Sequence, residues 1–290
     1  MRVLLIGVGQ LGLGLIVPVF TEAGYKVVGT DANPQRLQEL EGGYFLETPS
    51  RISKLDVTTT KMDEAGNDFD LVVTSVGRQH IAEVAKWYRE KGILAPVLLA
   101  ENLPDPISLF PRQISIVVDR ICPRVVSKYG LLTAVAEDYF KIVTLDDPLT
   151  HQLGKIEGVE LELTEAGVEL KRKQKMFTVN TSHVITALYG QQLGCLLVEE
   201  AVAKSEVASK ICSIVTEISP WLGLNQRQAD TRAGELIRRF SSPIKDSLSR
   251  ILGPANKKSA LHYVEVPLQG LRAMGREAPV LEEAYRLLAV

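Results

Sequence analysis

Within its first twelve residues the chain passes from an apolar run into a patterned loop, "RVLLIGVGQLG" (2–12). The run lacks alternating polar positions, which predicts a short strand buried on both faces in a parallel sheet. Gly7, Gly9 and Gly12 then stand in the pattern G-x-G-x-x-G, directly after that strand and at the start of a helix. The first glycine allows a tight turn, the second lets backbone approach a pyrophosphate, and the third permits close helix–sheet packing. A pyrophosphate would meet unpaired N–H groups and the positive dipole end of the helix. Gln10 and Leu11, between the last two glycines, belong to the same expected cofactor site. Residues 4–20 are apolar enough to resemble a signal peptide or membrane span, but four glycines and Pro18 interrupt them. With no other candidate span, a cytoplasmic location and no membrane partner are expected.

The first helix is expected over Gln10–Ala23, with Pro18 costing a hydrogen bond and bending its axis. A second strand, "KVVGTD", ends on Asp31. A carboxylate there can accept from a ribose 2′-hydroxyl and repels a 2′-phosphate, so the expected cofactor is NAD rather than NADP. The alternative is that Asp31 only caps the next helix, "NPQRLQEL", for which Asn33 and Pro34 are suited N-cap and first-turn residues. "DLVVTSVG" (70–77), the helical "QHIAEVAKWYREKG" and "APVLLAEN" (95–102) repeat the strand–helix alternation. "ISIVVDRICP" (114–123) and "TAVAEDYFKIVTLD" (133–146) read as further strands. Beyond about Glu165 the spacing is helical throughout, over 168–195, 196–218, 226–240 and 257–289. The expected fold is α/β: a Rossmann-type doubly wound sheet over residues 1–165, followed by an all-helical domain over 166–290.

A length of 290 residues fits one large or two ordinary domains, and a formal net charge of −2 does not favour nucleic acid. Cys122, Cys195 and Cys212 are far apart and odd in number, which predicts reduced, buried thiols rather than disulfides or a zinc site. No metal site is expected.

A second motif lies in "KMFTVNTSHVITALYG" (175–190), an apolar helix that carries Lys175, Asn180 and His183. At about 100° per residue, Asn180 and His183 fall roughly 140° and 80° round from Lys175, so the three can share one side. Their types suit metal-free hydride transfer. A neutral lysine can take a hydroxyl proton, an amide N–H can stabilise the developing alkoxide, and an imidazole can hold a neighbouring hydroxyl. Lys171 and burial would keep Lys175 neutral. The competing reading is a solvated face of an amphipathic helix. His80 follows "TSVGRQ" at a strand-to-helix turn; the reading favoured for it is a surface histidine rather than a nicotinamide neighbour.

The spacing K-x-x-x-x-N-x-x-H resembles the signature of the polyol-specific long-chain dehydrogenases, and among them the mannitol-1-phosphate 5-dehydrogenases. "FTVNTSHVITALYG", "EGVEL", "VVTSVG", "AEN" and "VVDRICP" are similar to that family's motifs and stand in the same order, over roughly residues 1–195. The resemblance implies a C-terminal domain of the 6-phosphogluconate dehydrogenase type. It implies Lys175 as acid/base, Asn180 and Asn102 as polarising amides, and His183 and Asp119 beside the substrate. It also places Val76 and Gly77 of "VVTSVG" at the cofactor and Arg239 of "RRFSSP" at the substrate. Without it, Asn102 is a strand-end loop residue and Asp119 an ion-pair partner of Arg120. The C-terminal part departs from the pattern: Ser242 stands where the family has Asn, and the tail resembles a ketopantoate reductase. The expected function is NAD-linked interconversion of a small-molecule polyol or sugar phosphate with its ketose. The alternatives are a ketopantoate-type 2-oxo acid reductase and a dinucleotide sensor without turnover.

Overall fold

The computed structural model describes residues 1–101, 108–128, 130–254 and 256–289. The chain divides into two compact units, 1–171 and 172–290.

In the first unit, β1 (Arg2–Ile6), β2 (Lys26–Thr30), β5 (Thr58–Thr59), β6 (Leu71–Thr74), β7 (Val97–Leu99) and β8 (Gln113–Ser115) form one sheet. Its order is β5-β2-β1-β6-β7-β8 and every pairing is parallel. The chain leaves β1 towards β2 on one side and returns to β6 on the other, the doubly wound arrangement with its switch point at β1/β6. Helices α1 (Val17–Glu22), α2 (Pro34–Glu39) and α3 (Ile81–Glu90) provide the crossovers. Residues 4–20 are largely buried: Leu4, Leu5, Leu13, Leu15, Ile16 and Phe20 have no exposed surface.

Two smaller sheets were not anticipated. Strands β3 (Tyr44–Glu47), β4 (Ile52–Leu55), β10 (Arg124–Lys128) and β11 (Leu131–Val135) form one, in the order β10-β11-β3-β4. Strands β9 (Val117–Asp119), β12 (Lys141–Leu145) and β13 (Val159–Glu162) form the other. The stretch 114–123 is therefore not a single strand. It pairs with β7 up to Ser115, changes sheet at Ile116, and pairs with β12 from Val117. The stretch 133–146 likewise splits into β11 and β12. One apolar cluster joins all three sheets through Val3, Tyr44, Ile116, Leu132 and Ile142.

The second unit is helical. Helix α4 (Glu165–Lys175) runs without a break through a π-turn (Met176–Asn180) into α5 (Thr181–Gln192). Helix α5 is buried nearly all round, against α6 (Val198–Val202), α7 (Ser205–Ile218), α9 (Leu248–Leu252) and α10 (Lys257–Ala273). Helices α8 (Gln226–Phe240) and α11 (Pro279–Ala289) complete it. None of the three cysteines is in a disulfide, but only Cys195 is buried; Cys122 is half-buried and Cys212 exposed, which corrects the expectation of three core thiols. Among the described residues no helix is long and apolar enough to cross a membrane.

Candidate active site

The glycine loop has the form its spacing predicts. Gly7 has φ +98°, and a Cβ there would collide with the Ser75 carbonyl, so β1 and β6 can approach only with glycine at this position. A Cβ at Gly12 would strike the Gly7 carbonyl, whereas one at Gly9 would meet nothing within 4 Å. The open space beside Gly9 is what a pyrophosphate requires. Gly7 N–H donates to Thr30 O (2.8 Å) and Leu13 N–H to Gly9 O (2.9 Å), tying the loop to β2 and starting the helix.

Asp31 is half-exposed at the end of β2. Its Oδ2 accepts from Val8 N–H (3.0 Å) and its Oδ1 from Asn33 N–H (2.9 Å). The cap of α2 is Asn33, whose Oδ1 accepts from Gln35 N–H (3.0 Å), with Pro34 in the first turn. Asp31 thus anchors the glycine loop, and a carboxylate's remaining lone pairs stay available. Gln10 is engaged within the protein, donating to Pro123 O (2.8 Å).

Leu11 is half-buried and precedes a feature the spacing did not predict: residues Gly12–Ile16 form a π-turn ahead of Pro18. Pro18 has no N–H, so carbonyls one turn back lose their usual donor. Two side chains replace it. Tyr44 Oη donates to Leu13 O (2.7 Å), and Arg120 Nη1 donates to Gly14 O (2.6 Å). Arg120 also donates to Glu137 O (2.8 Å), so its role is to complete this helix, and the reading of it as a simple salt-bridge partner is too narrow.

After β6 the loop 75–77 is held by a residue the sequence reading passed over. Glu101 is buried, and it accepts from Thr74 Oγ1 (2.6 Å) and Val76 N–H (3.0 Å). Burial pushes its carboxyl above the usual range while those two bonds oppose the shift. Gly77 has φ +86°. His80 is an exposed residue 3.7 Å from Glu83, as a surface histidine should be. Asp119 is buried in β9 opposite Lys141 in register, and Asn102 lies outside the described residues.

In the second unit the π-turn changes the arithmetic of the lysine motif. A π-turn accommodates one residue more than an α-turn, so five residues do the angular work of about four. Asn180 and His183 then stand to Lys175 as the i+4 and i+7 positions of a regular helix, about 40° and 20° to either side. They share a narrow stripe rather than a wide arc. The turn is supported by the Thr178 hydroxyl, which donates to Gln174 O (2.8 Å) and accepts from Arg232 Nε (3.1 Å). Burial raises the pKa of Tyr263 on α10, and the neighbouring Asn180 side chain opposes that shift.

His183 stacks on Phe240 at 4.2 Å between ring centres and 10° between planes. Burial pushes its pKa down to about 4; Asp246 opposes the shift, and Arg250, Arg239 and Lys175 add to it. Its Nε2 has no hydrogen-bond partner and lies 3.8 Å from Asp246 Oδ2. Asp246 is buried and accepts two bonds from Arg250, both at 2.6 Å. The loop carrying it includes Lys245 at φ +53°, a conformation uncommon outside glycine. Lys175, Asn180, His183 and Arg239 are therefore gathered with Asp246, Arg250 and Tyr263, three residues not foreseen. Lys171, expected to repel Lys175, is instead paired with Glu160 (2.8 Å) and Glu162 (3.3 Å), which raise its own pKa. Among the described residues no group of three or more His, Cys, Asp or Glu is arranged to hold a metal ion.

Residues 2–98 match a family model described as "NADP oxidoreductase coenzyme F420-dependent". Mannitol-1-phosphate 5-dehydrogenase of Oceanobacillus iheyensis is 25% identical, over 89% of this chain and 80% of that one. A match of that length extends past the first 195 residues and into the C-terminal part. Mannitol 2-dehydrogenase of Pseudomonas fluorescens, in a ternary complex with NAD and D-mannitol, superposes with a TM-score of 0.78. Identity there is 15%, over 99% of this chain and 79% of the other. The chain has a dehydrogenase fold. A ketopantoate reductase from Ralstonia eutropha shares it, with TM-score 0.68 and 18% identity over 100% of this chain and 97% of that one.

Proposed function

We propose that this chain is an NAD-dependent dehydrogenase acting on a CH–OH group, which interconverts a polyol and its ketose. The leading substrate is a sugar-alcohol phosphate such as mannitol 1-phosphate. The observation that carries the reading is the π-turn stripe of Lys175, Asn180 and His183, three polar groups on a helix that is otherwise core. Sequence similarity to mannitol-1-phosphate 5-dehydrogenases supports the same class.

The residues present fit a dinucleotide. Gly7, Gly9, Gln10, Leu11 and Gly12 would hold the pyrophosphate, Asp31 the ribose hydroxyls, and Val76 and Gly77 the loop beside them. NAD, when bound, supplies the hydride acceptor. The chain's own part is the proton. Lys175 Nζ, in its neutral form, accepts the substrate hydroxyl proton as the hydride departs from the same carbon, and returns it in the reverse direction. An Asn180 N–H donates to the oxygen on which charge develops, and Asn102 is proposed as a second such amide. His183 Nε2, buried and unpaired, offers a bond to an adjacent hydroxyl; leaving it unmet costs about 1–3 kcal/mol, which favours a substrate that meets it. Asp119 and Arg239 are assigned to the substrate.

The second reading, reduction of a 2-oxo acid, draws on the ketopantoate reductase neighbour, of which this chain covers nearly the whole length. His183 weighs against it, since a histidine that holds a second hydroxyl suits a polyol. A panel of polyols, polyol phosphates, uronates and 2-oxo acids, followed by NADH absorbance, tests both. Turnover of a polyol or its phosphate supports the proposal. Turnover of 2-oxo acids alone transfers the site to the second reading, and NADH binding without turnover of any of them supports the sensor.

A further inference from the structure

We propose that Glu101 is a positioning residue of the cofactor site, which holds the loop 75–77 against the glycine loop so that both are in place before a dinucleotide binds. This rests on the assignment of both loops to the cofactor given above. The ladder of the parallel sheet extends one residue past β6, where Ser75 N–H donates to Ile6 O (2.8 Å). At Val76 the chain has left the sheet, and Glu101, two residues beyond the end of β7, supplies the acceptor. Its Oε1 takes Val76 N–H (3.0 Å) and its Oε2 the Thr74 hydroxyl (2.6 Å). Ala100 N–H donates to Thr74 O (3.2 Å), which fixes the backbone beside the carboxylate to the end of β6.

The loop held in this way lies against Gly7. A Cβ at Gly7 would stand 2.3 Å from Ser75 O and 3.0 Å from Val76 Cγ1, so the two loops are in direct contact. They leave the carboxyl ends of β1 and β6, the strand pair at the switch point, where a doubly wound sheet takes its ligand. Glu101 itself is only 5% exposed, and a carboxyl is costly to bury. Burial pushes its pKa up, and the bonds from Thr74 and Val76 oppose that shift. An apolar side chain would fill the same space at less cost, but would leave the Val76 N–H without this acceptor.

The test is the NADH dissociation constant, by fluorescence titration of variants shown to be folded by circular dichroism; it needs no substrate. Glu101→Ala should bind NADH roughly ten- to a hundredfold more weakly, as the loss of a buried bond implies. Glu101→Gln should stay within about threefold of the parent, because its carbonyl can receive Val76 N–H while its NH2 donates to the Thr74 oxygen. A carboxylate with a merely structural role would lower the urea midpoint in Glu101→Ala and leave the affinity of the folded protein unchanged. That result, or a loss in Glu101→Gln as large as in Glu101→Ala, would overturn the proposal. Should Glu101→Ala not fold, Thr74→Val decides: it frees one carboxylate oxygen and should weaken NADH binding, and affinity at the parent level would overturn the positioning role. Exchange of the Val76 backbone amide should quicken in Glu101→Ala without cofactor, and exchange at the parent rate would contradict the bond. Gly9→Val, which fills the open space beside that residue, tests the cofactor reading separately. If it binds NADH as the parent does, the cofactor reading fails and the positioning role with it. If it abolishes binding while Glu101→Ala binds normally, only the role of Glu101 falls.

Discussion

Asp31 is structural in the glycine loop, and in the proposed cofactor site the same carboxylate would also be selective. Both its oxygens accept backbone N–H bonds, so its charge is held at the strand end where a 2′-phosphate would have to sit. NADH should therefore bind more tightly than NADPH, and Asp31→Ala should narrow the gap; fluorescence titration showing equal affinities in the parent protein would refute this. His183 makes a prediction about stability. Its folded pKa of about 4 lies below the ordinary 6.5, so the unfolded chain binds the proton more readily. The resulting contribution, at most about 3 kcal/mol, is complete above pH 6.5 and is lost as pH falls towards 4. Urea midpoints at pH 5 and pH 7.5 should differ less in His183→Gln than in the parent, and identical differences would contradict the burial account. At this scale the sequence pointed to the glycine loop and to the helix of Lys175, Asn180 and His183, because both patterns are local. Glu101, Asp246, Arg250 and Tyr263 escaped it because each acts through partners that only folding brings near.

Both π-turns lie in the helices that carry the two motifs, and neither was legible. An extra residue in one turn does not disturb an apolar pattern enough to be seen in sequence. Yet it moves Asn180 and His183 from a wide arc to a stripe with Lys175, and in the first helix it accompanies Pro18. There the carbonyls that proline leaves behind are met by Tyr44 and Arg120 from distant strands. Tyr44→Phe strands the buried Leu13 carbonyl and should cost about 1–3 kcal/mol. The urea midpoint should fall accordingly, and a variant as stable as the parent would show the bond to be idle. The centre of the parallel sheet, β1, β2, β6 and β7, was legible because those strands are largely apolar runs, whereas the edge strand β5 is only Thr58–Thr59 and left no such signal. The smaller sheets were not, since β3 and β4 are four residues each and half their positions face outward.

For the whole molecule, the order of elements alone indicated a doubly wound unit followed by a helical one, and the dehydrogenases it matches share that architecture along nearly all of the chain. The substrate was less legible, because a fold hosts many chemistries and only the site selects among them. The family model that covers residues 2–98 names NADP, whereas the position of Asp31 argues for NAD, so cofactor choice also has to be read from the site. The central claim is that the π-turn stripe is the catalytic apparatus, with Lys175 as the group that moves the proton. Its most direct test is the rate of NAD-linked oxidation by Lys175→Ala, measured with the active substrate from the panel beside an NADH titration of the same sample. The rate should fall by a factor on the order of 10² to 10⁴ while NADH affinity stays near that of the parent, and the rise of rate with pH should disappear. Unchanged turnover in Lys175→Ala would contradict it, and would leave the buried stripe without a catalytic role.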